Sequence, residues 1–299
     1  MTDPAAPMPA AGATKSCPTC GSQGEIPCPT CSKSKEALPA AISPYVYSLG
    51  RVEPRHPNIS TEKEVAQVAK RFATENMTDA HMLQKVLSDS ANRYLVRQLS
   101  WVFRIEDQET FILYPRDPQD WGLLVAALRP APRPTDLDAV VGIRGRNAPA
   151  DMHNGLSLPI VMFDQLYAFD RDSLIKAIPR QEKTPAKQFE PAAEALLDRI
   201  LHMTGNTGDR DEHRVLNYLV VRYPAIYTTT AEALERNSSL TAVTVRPSGL
   251  SNSRKILEVI FSYTNRTTDV VEKFFLRADV TYEFPYLVTK ISPYYDLQV

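Results

Sequence analysis

The stretch SCPTCGSQGEIPCPTCSK, residues 16–33, holds all four cysteines of this 299-residue chain, as two copies of Cys-Pro-Thr-Cys. No thiol remains beyond Cys31 to brace the rest of the chain. Everything downstream must therefore fold by burying apolar surface between regular elements.

The spacing is C-x2-C-x7-C-x2-C. Each Cys-x-x-Cys turn offers two thiolates, and four thiolates close a tetrahedral zinc shell. Proline after the first cysteine of each pair fixes φ, and Gly21 is free to take the positive φ that brings backbone amides towards sulfur. The intervening GSQGEIP holds two glycines and is long enough to reverse the chain. Lys15, Lys33 and Lys35 offset part of the formal negative charge of a four-thiolate site. A metal held this way contributes on the order of 10–16 kcal/mol of apparent binding energy, which a segment so poor in apolar residues needs. A redox pair would sit at the head of a helix in a βαβ unit, a pattern absent around either pair. A catalytic zinc keeps an open position, whereas four cysteines leave none. The reading favoured is a structural Zn2+ site formed by Cys17, Cys20, Cys28 and Cys31, within one chain or shared between two.

Formal charge is −1, from 34 basic and 35 acidic residues, so no broad electrostatic footprint for nucleic acid or an anionic membrane exists. The N-terminal MTDPAAPMPAAGATKS lacks a basic region followed by an apolar core, and no apolar run reaches the roughly 20 residues of a membrane span. The expected compartment is the cytoplasm, where paired cysteines hold metal more often than disulfides.

Along the chain, residues 1–15 read as a disordered tail, 16–33 as the zinc knuckle or ribbon, 34–44 as a linker, and 45–299 as the main body. Thr61 and Glu64 suggest a capping box before a helix to about Phe72, and a second helix is expected near 79–97. WVFRI and TFILY, parted by EDQE, read as a hairpin. LLVAALR (123–129) and AVVGIRG (139–145) read as strand-like runs, and 158–170 as a strand or short helix. Helices are expected at 190–203, 211–222 and 229–236, the last capped by Thr229 with Glu232. Four β-rich segments at 240–246, 255–266, 270–282 and 286–292 suggest an antiparallel meander. Blocks of helices and strands in this order define an α+β fold, with antiparallel sheets and packed helices.

Catalytic signatures are missing: there is no G-x-S-x-G, H-E-x-x-H, G-x-x-x-x-G-K-[ST] or G-x-G-x-x-G. Two polar stretches stand out. GIRGRNAPADMHNG (142–155) gathers Arg144, Arg146, Asp151 and His153 after a strand, where arginines can grip a carboxylate or phosphate. HMTGNTGDRDEHRVLNYL (202–219) places Asp209, Asp211, Glu212 and His213 at a helix start. The commoner roles of such residues are local ion pairs for the first stretch, and capping and dipole complementarity for the second. Catalytic residues are therefore left unassigned.

Four stretches, YVYSLGRVEPRHPNISTEKE, VVGIRG…NGLSLPIVMFDQLYAFD, DEHRVLNYLVVRYPAIY and RKILEVIFSYTNRTTDVVEKFFLRADVTYEFPYLVTKISPYYD, run in order from about Tyr45 to Asp296. The body they span resembles the PatG-type C-terminal domain, found at the ends of cyanobactin maturation proteases and in standalone proteins. The resemblance implies association with ribosomally made, modified peptides (RiPP biosynthesis), and partners that are a precursor peptide or a maturation protease. It implies no reaction, and the Ser-His-Asp chemistry of the protease domain is not in this sequence. The expectation is an accessory, protein-binding chain; the alternative is a peptide-modifying enzyme with its site around 142–155 and 202–213. Nucleic acid and membrane are not expected partners, and homodimerisation is left open.

Overall fold

The computed structural model describes residues 43–73, 77–179 and 186–295, all within the compact unit Ile42–Val299. Cys17, Cys20, Cys28 and Cys31, with the tail and most of the linker, lie outside the described residues. The described body is α+β, with a closed barrel, an antiparallel sheet and eight helices.

Five strands form the barrel: β1 (Tyr45–Arg55), β2 (Ser100–Ile105), β3 (Gln108–Pro115), β4 (Asp136–Asn147) and β5 (Pro159–Asp170), in the order β1-β2-β3-β5-β4. Closure depends on β3 pairing parallel with β5, from Ile112↔Ile160 to Pro115↔Phe163. The first strand block is thus mixed rather than antiparallel throughout. A barrel closes on itself and so removes its own edges. The β2–β3 hairpin turns on Glu106 and Asp107, both at positive φ, as a two-residue mirror-image turn requires. β4 bends at a bulge beside Gly142, where a Cβ would stand 2.3 Å from the Met162 carbonyl oxygen.

Four helices serve the barrel: α1 (Ile59–Ala69), α2 (Asp79–Ser88), α3 (Arg93–Gln98) and α4 (Trp121–Ala126). The cap of α1 is Asn58, whose side chain accepts from Thr61 N at 2.9 Å, so the expected Thr61–Glu64 box lies three residues too late. The helix expected over 79–97 breaks at Asp89, which is extended and whose carboxylate accepts from Ala91 N at 2.9 Å. Short polar side chains compete in this way for backbone donors. LLVAALR is not a strand: Leu and Ala are strong helix formers, and α4 runs through it.

The C-terminal half carries α5 (Arg171–Ala177), α6 (Ala186–Leu201), α7 (Asp211–Arg222) and α8 (Ala225–Glu235). The meander follows as β6 (Ser238–Pro247), β7 (Ile256–Asn265), β8 (Val271–Asp279) and β9 (Tyr286–Pro293). α8 begins directly after Pro224, a residue suited to a helix start. Thr229 therefore lies inside the helix, its hydroxyl donating back to Ala225 O at 3.0 Å, and caps nothing.

Alternation along β1 divides the interior. Val46 and Val52 pack with Trp101, Phe103, Phe111 and Phe163 into one core, which the first four helices join. Tyr47 and Leu49 face the other way, into a second core with α6, α7, α8 and the meander. β1 is thus shared by both cores, and the joint beside it positions the polar groups described next.

Candidate functional site

The joint is built from the loop before α7. Ser48 Oγ donates to Thr207 O at 2.8 Å, Tyr47 N to Gly208 O at 2.9 Å, and Ser43 N to Asp209 O at 2.7 Å. From within α7, Asn217 Nδ2 donates to Tyr47 O at 2.9 Å. This loop therefore runs along the first half of β1 as a further edge.

One ion pair joins the two polar stretches. Arg144 Nε lies 3.5 Å from Asp209 Oδ2, while the Arg144 amide donates to Pro44 O at 2.8 Å. Arg146 and Asp151 are exposed. His153 belongs to a different set: it is buried, with Nδ1 2.8 Å from Ser100 Oγ and its ring edge-on to Tyr114. Burial pulls the His153 pKa below its ordinary value, against the pull of Asp151. His213 is buried in α7, its Nδ1 without a hydrogen-bond partner among the described residues. Burial, and then Arg210, lower its pKa. Both imidazoles are thereby biased to the neutral form. Glu212 is half-buried in the first turn of α7 and complements the helix dipole, as expected.

The most constrained charge at the joint is Arg214, which the sequence reading did not single out. Its guanidinium is fully buried and donates to Ser43 Oγ at 3.2 Å, Asp211 Oδ1 at 2.8 Å and Val280 O at 2.9 Å. It also donates to Tyr282 O and, at 3.1 Å, to Glu283 O, and it stacks 5.2 Å from the centre of the Tyr45 ring. Asp211 is held from its other side by Lys255 Nζ at 2.9 Å. Arg214 thus ties the start of the body, α7 and the turn after β8 to one point. The available signal was a lone charge on the apolar face of α7, between His213 and Val215.

Beside this node lies a carboxyl pair. Arg116 Nη1 stands 3.0 Å from Asp164 Oδ2 and 3.6 Å from Glu283 Oε2. Glu283 Oε1 is buried without a hydrogen-bond partner among the described residues. Burial, followed by the neighbouring Asp164, pushes the Glu283 pKa up to about 7, against the pull of Arg116 and Arg214. A carboxyl so placed is biased towards its protonated form.

The consequence for stability has a definite sign. Glu283 binds its proton more tightly folded than unfolded, so its contribution is fully present below about pH 4.5 and is lost as pH rises through about 7. A shift of this size corresponds to about 1–3 kcal/mol of stability present at acid pH. Urea unfolding at pH 5 and pH 8 should show this loss in the parent and a flatter profile in E283Q. Parallel profiles would show that Glu283 does not carry it.

Among the described residues, no cluster of His, Cys, Asp and Glu could hold a metal ion, and no helix is long and apolar enough to cross a membrane.

A barrel fused through β1 to a helix-backed meander defines the architectural class. The same fold is found in a solved structure titled "PatG Domain of Unknown Function", with a TM-score of 0.67 and 19% identity. The match covers 84% of this chain and 99% of that one. Residues 183–294 match the family model described as PatG C-terminal. Residues 183–294 are thus similar in sequence to the PatG C-terminal family, and the wider body shares the fold of the solved PatG domain. No curated protein matches the chain.

Proposed function

We propose that the protein is an accessory, non-catalytic component of a cyanobactin-like peptide maturation pathway, binding the precursor peptide or a maturation enzyme. The observation that carries this reading is the PatG C-terminal match over residues 183–294. Side-chain engagement supports it: Arg144 is spent on Asp209, Asp211 on Arg214 and Lys255, and His153 on Ser100. These contacts hold the architecture together. Affinity capture with the purified full-length chain, offered a cyanobactin-type precursor peptide and a maturation protease, tests the reading. Retention of either supports it, and retention of neither overturns it.

In this reading the N-terminal element holds a structural zinc through Cys17, Cys20, Cys28 and Cys31, in a cytoplasmic protein. The expected stoichiometry is one zinc per chain by metal analysis, with thiolate-to-cobalt charge-transfer bands on Co2+ substitution. The C17S/C28S double variant should lose both signals, since two thiolates do not close the shell. Metal-free protein without cobalt bands would refute the site.

One observation favours a second reading, a peptide-modifying enzyme: the Arg144–Asp209 pair does bring 142–155 and 202–213 together. That reading requires a change in precursor mass on incubation with the protein, abolished in Arg144→Ala.

A further inference from the structure

We propose that the groove between α2, α3 and α4 is a docking site for an acidic, amphipathic peptide segment. The groove has a volume of about 710 Å³ and a floor that includes Leu87, Val96, Trp121 and Val125. Arg93 and Arg97 stand on its rim, one turn apart on α3, and both are exposed. Neither makes an ion pair or hydrogen bond among the described residues, and no carboxylate is among the residues lining the groove.

Charge decides the occupant. The 560 Å³ cleft beside residues 132–137 is lined by four arginines, but also by four carboxylates. In the 250 Å³ cleft next to it, Arg129 is bound to Asp138 at 2.6 Å. Positive charge is uncompensated at the α2–α3–α4 groove, and complementary potential selects a partner with acidic residues along one face. The apolar floor selects apolar anchors on the opposite face, as in helix-in-groove recognition.

The walls are fixed in advance. Gln84 Nε2 donates to Leu128 O at 3.0 Å, tying α2 to the end of α4, and Trp121 packs edge-on against Tyr114 at 5.9 Å. Preorganisation of this kind lowers the ordering cost of binding. Gly122 is exposed in the groove, and a Cβ added there meets nothing within 4 Å. A large side chain at this position fills the groove without disturbing the packing behind it.

This inference rests on the accessory reading and names the surface and the chemistry it uses. The probe is a fluorescein-labelled peptide of about 12 residues, with Leu and Phe at helical spacing and Glu on the other face. The control carries Lys for Glu, and binding to the full-length chain is read by anisotropy. The acidic peptide should bind at least about tenfold more tightly than the basic one, a difference of ~1.4 kcal/mol. R93E/R97E should reverse the preference, and G122W should abolish binding while leaving the circular dichroism spectrum unchanged. Equal binding of both peptides, or acidic binding that survives in both variants, overturns the proposal. A dimer in sedimentation that G122W dissociates also overturns it, because the occupant is then a second copy. Precursor captured equally by the parent and G122W refutes the groove and leaves the accessory reading standing. Groove-dependent binding of the acidic probe, without capture of precursor or protease, does the reverse.

Discussion

Arg214→Met should lower the unfolding free energy by about 3–5 kcal/mol, the cost of dismantling a buried charge network by removing one partner. The guanidinium is fully buried, and the carbonyls of Val280, Tyr282 and Glu283 all accept from it. Methionine fills much of the volume but donates nothing. Each buried acceptor left unpaired costs about 1–3 kcal/mol, less than additively because the acceptors share one loop. Asp211 keeps Lys255 and is partly compensated. Arg214→Lys should recover only a fraction, since an ammonium cannot span acceptors laid out for a planar fork. Urea unfolding of the three proteins reads the effect. A loss below about 1 kcal/mol in the methionine variant would show that the node is not structural.

The second large effect is expected at Gly208. Its φ is +74°, and an added Cβ would lie 2.3 Å from Tyr47 O and 2.7 Å from Ser48 Cα. Both contacts are backbone, so no side chain can swing aside. Left-handed backbone costs alanine roughly 1 kcal/mol, and forced displacement in a packed region adds about 1–3 kcal/mol. Gly208→Ala should therefore cost about 2–4 kcal/mol, with amide exchange accelerated at Tyr47 and Ser43, whose N–H groups bond to this loop. Gly205 makes the control: its φ is also positive, at +69°, but a Cβ there meets nothing within 4 Å. Gly205→Ala should show the backbone cost alone. Equal losses at the two glycines would assign the whole effect to φ and none to the β1 contact.

Much of the C-terminal half was legible in the sequence because its signals are local. Asp211 and Glu212 open a helix with an apolar stripe, and α7 spans the expected 211–222. The meander is a run of β-branched and aromatic segments joined by short turns, so pairing follows chain order. The first half depends on distant contacts. β1 was not read as a strand: Gly50 and Pro54 interrupt it, and its buried Ser48 is satisfied only by Thr207. The barrel could not be read because the parallel β3–β5 pair that closes it leaves no periodic mark. The short run LLVAALR has no period long enough to separate helix from strand, and composition decided it. At the candidate site, Arg144 and Asp209 were singled out separately, and only the fold could pair them. Arg214 escaped notice because most of its acceptors are backbone carbonyls, which every sequence has.

The joint between β1 and the loop before α7 also governs when the protein can finish folding. Ser48 and Thr207 are separated by 159 positions, so the first strand of the body waits for a partner that arrives late from the ribosome. Closing so long a loop is slow, and until it happens the Tyr47 face of β1 is exposed to misassociation. The family match at 183–294 begins beyond the barrel and contains the loop and α7 without β1. A fragment cut at that boundary would leave Gly208 and Asn217 without Tyr47, and Arg214 without Ser43 and the Tyr45 ring. The unit that folds together is therefore the compact unit Ile42–Val299, not the segment of the family match alone.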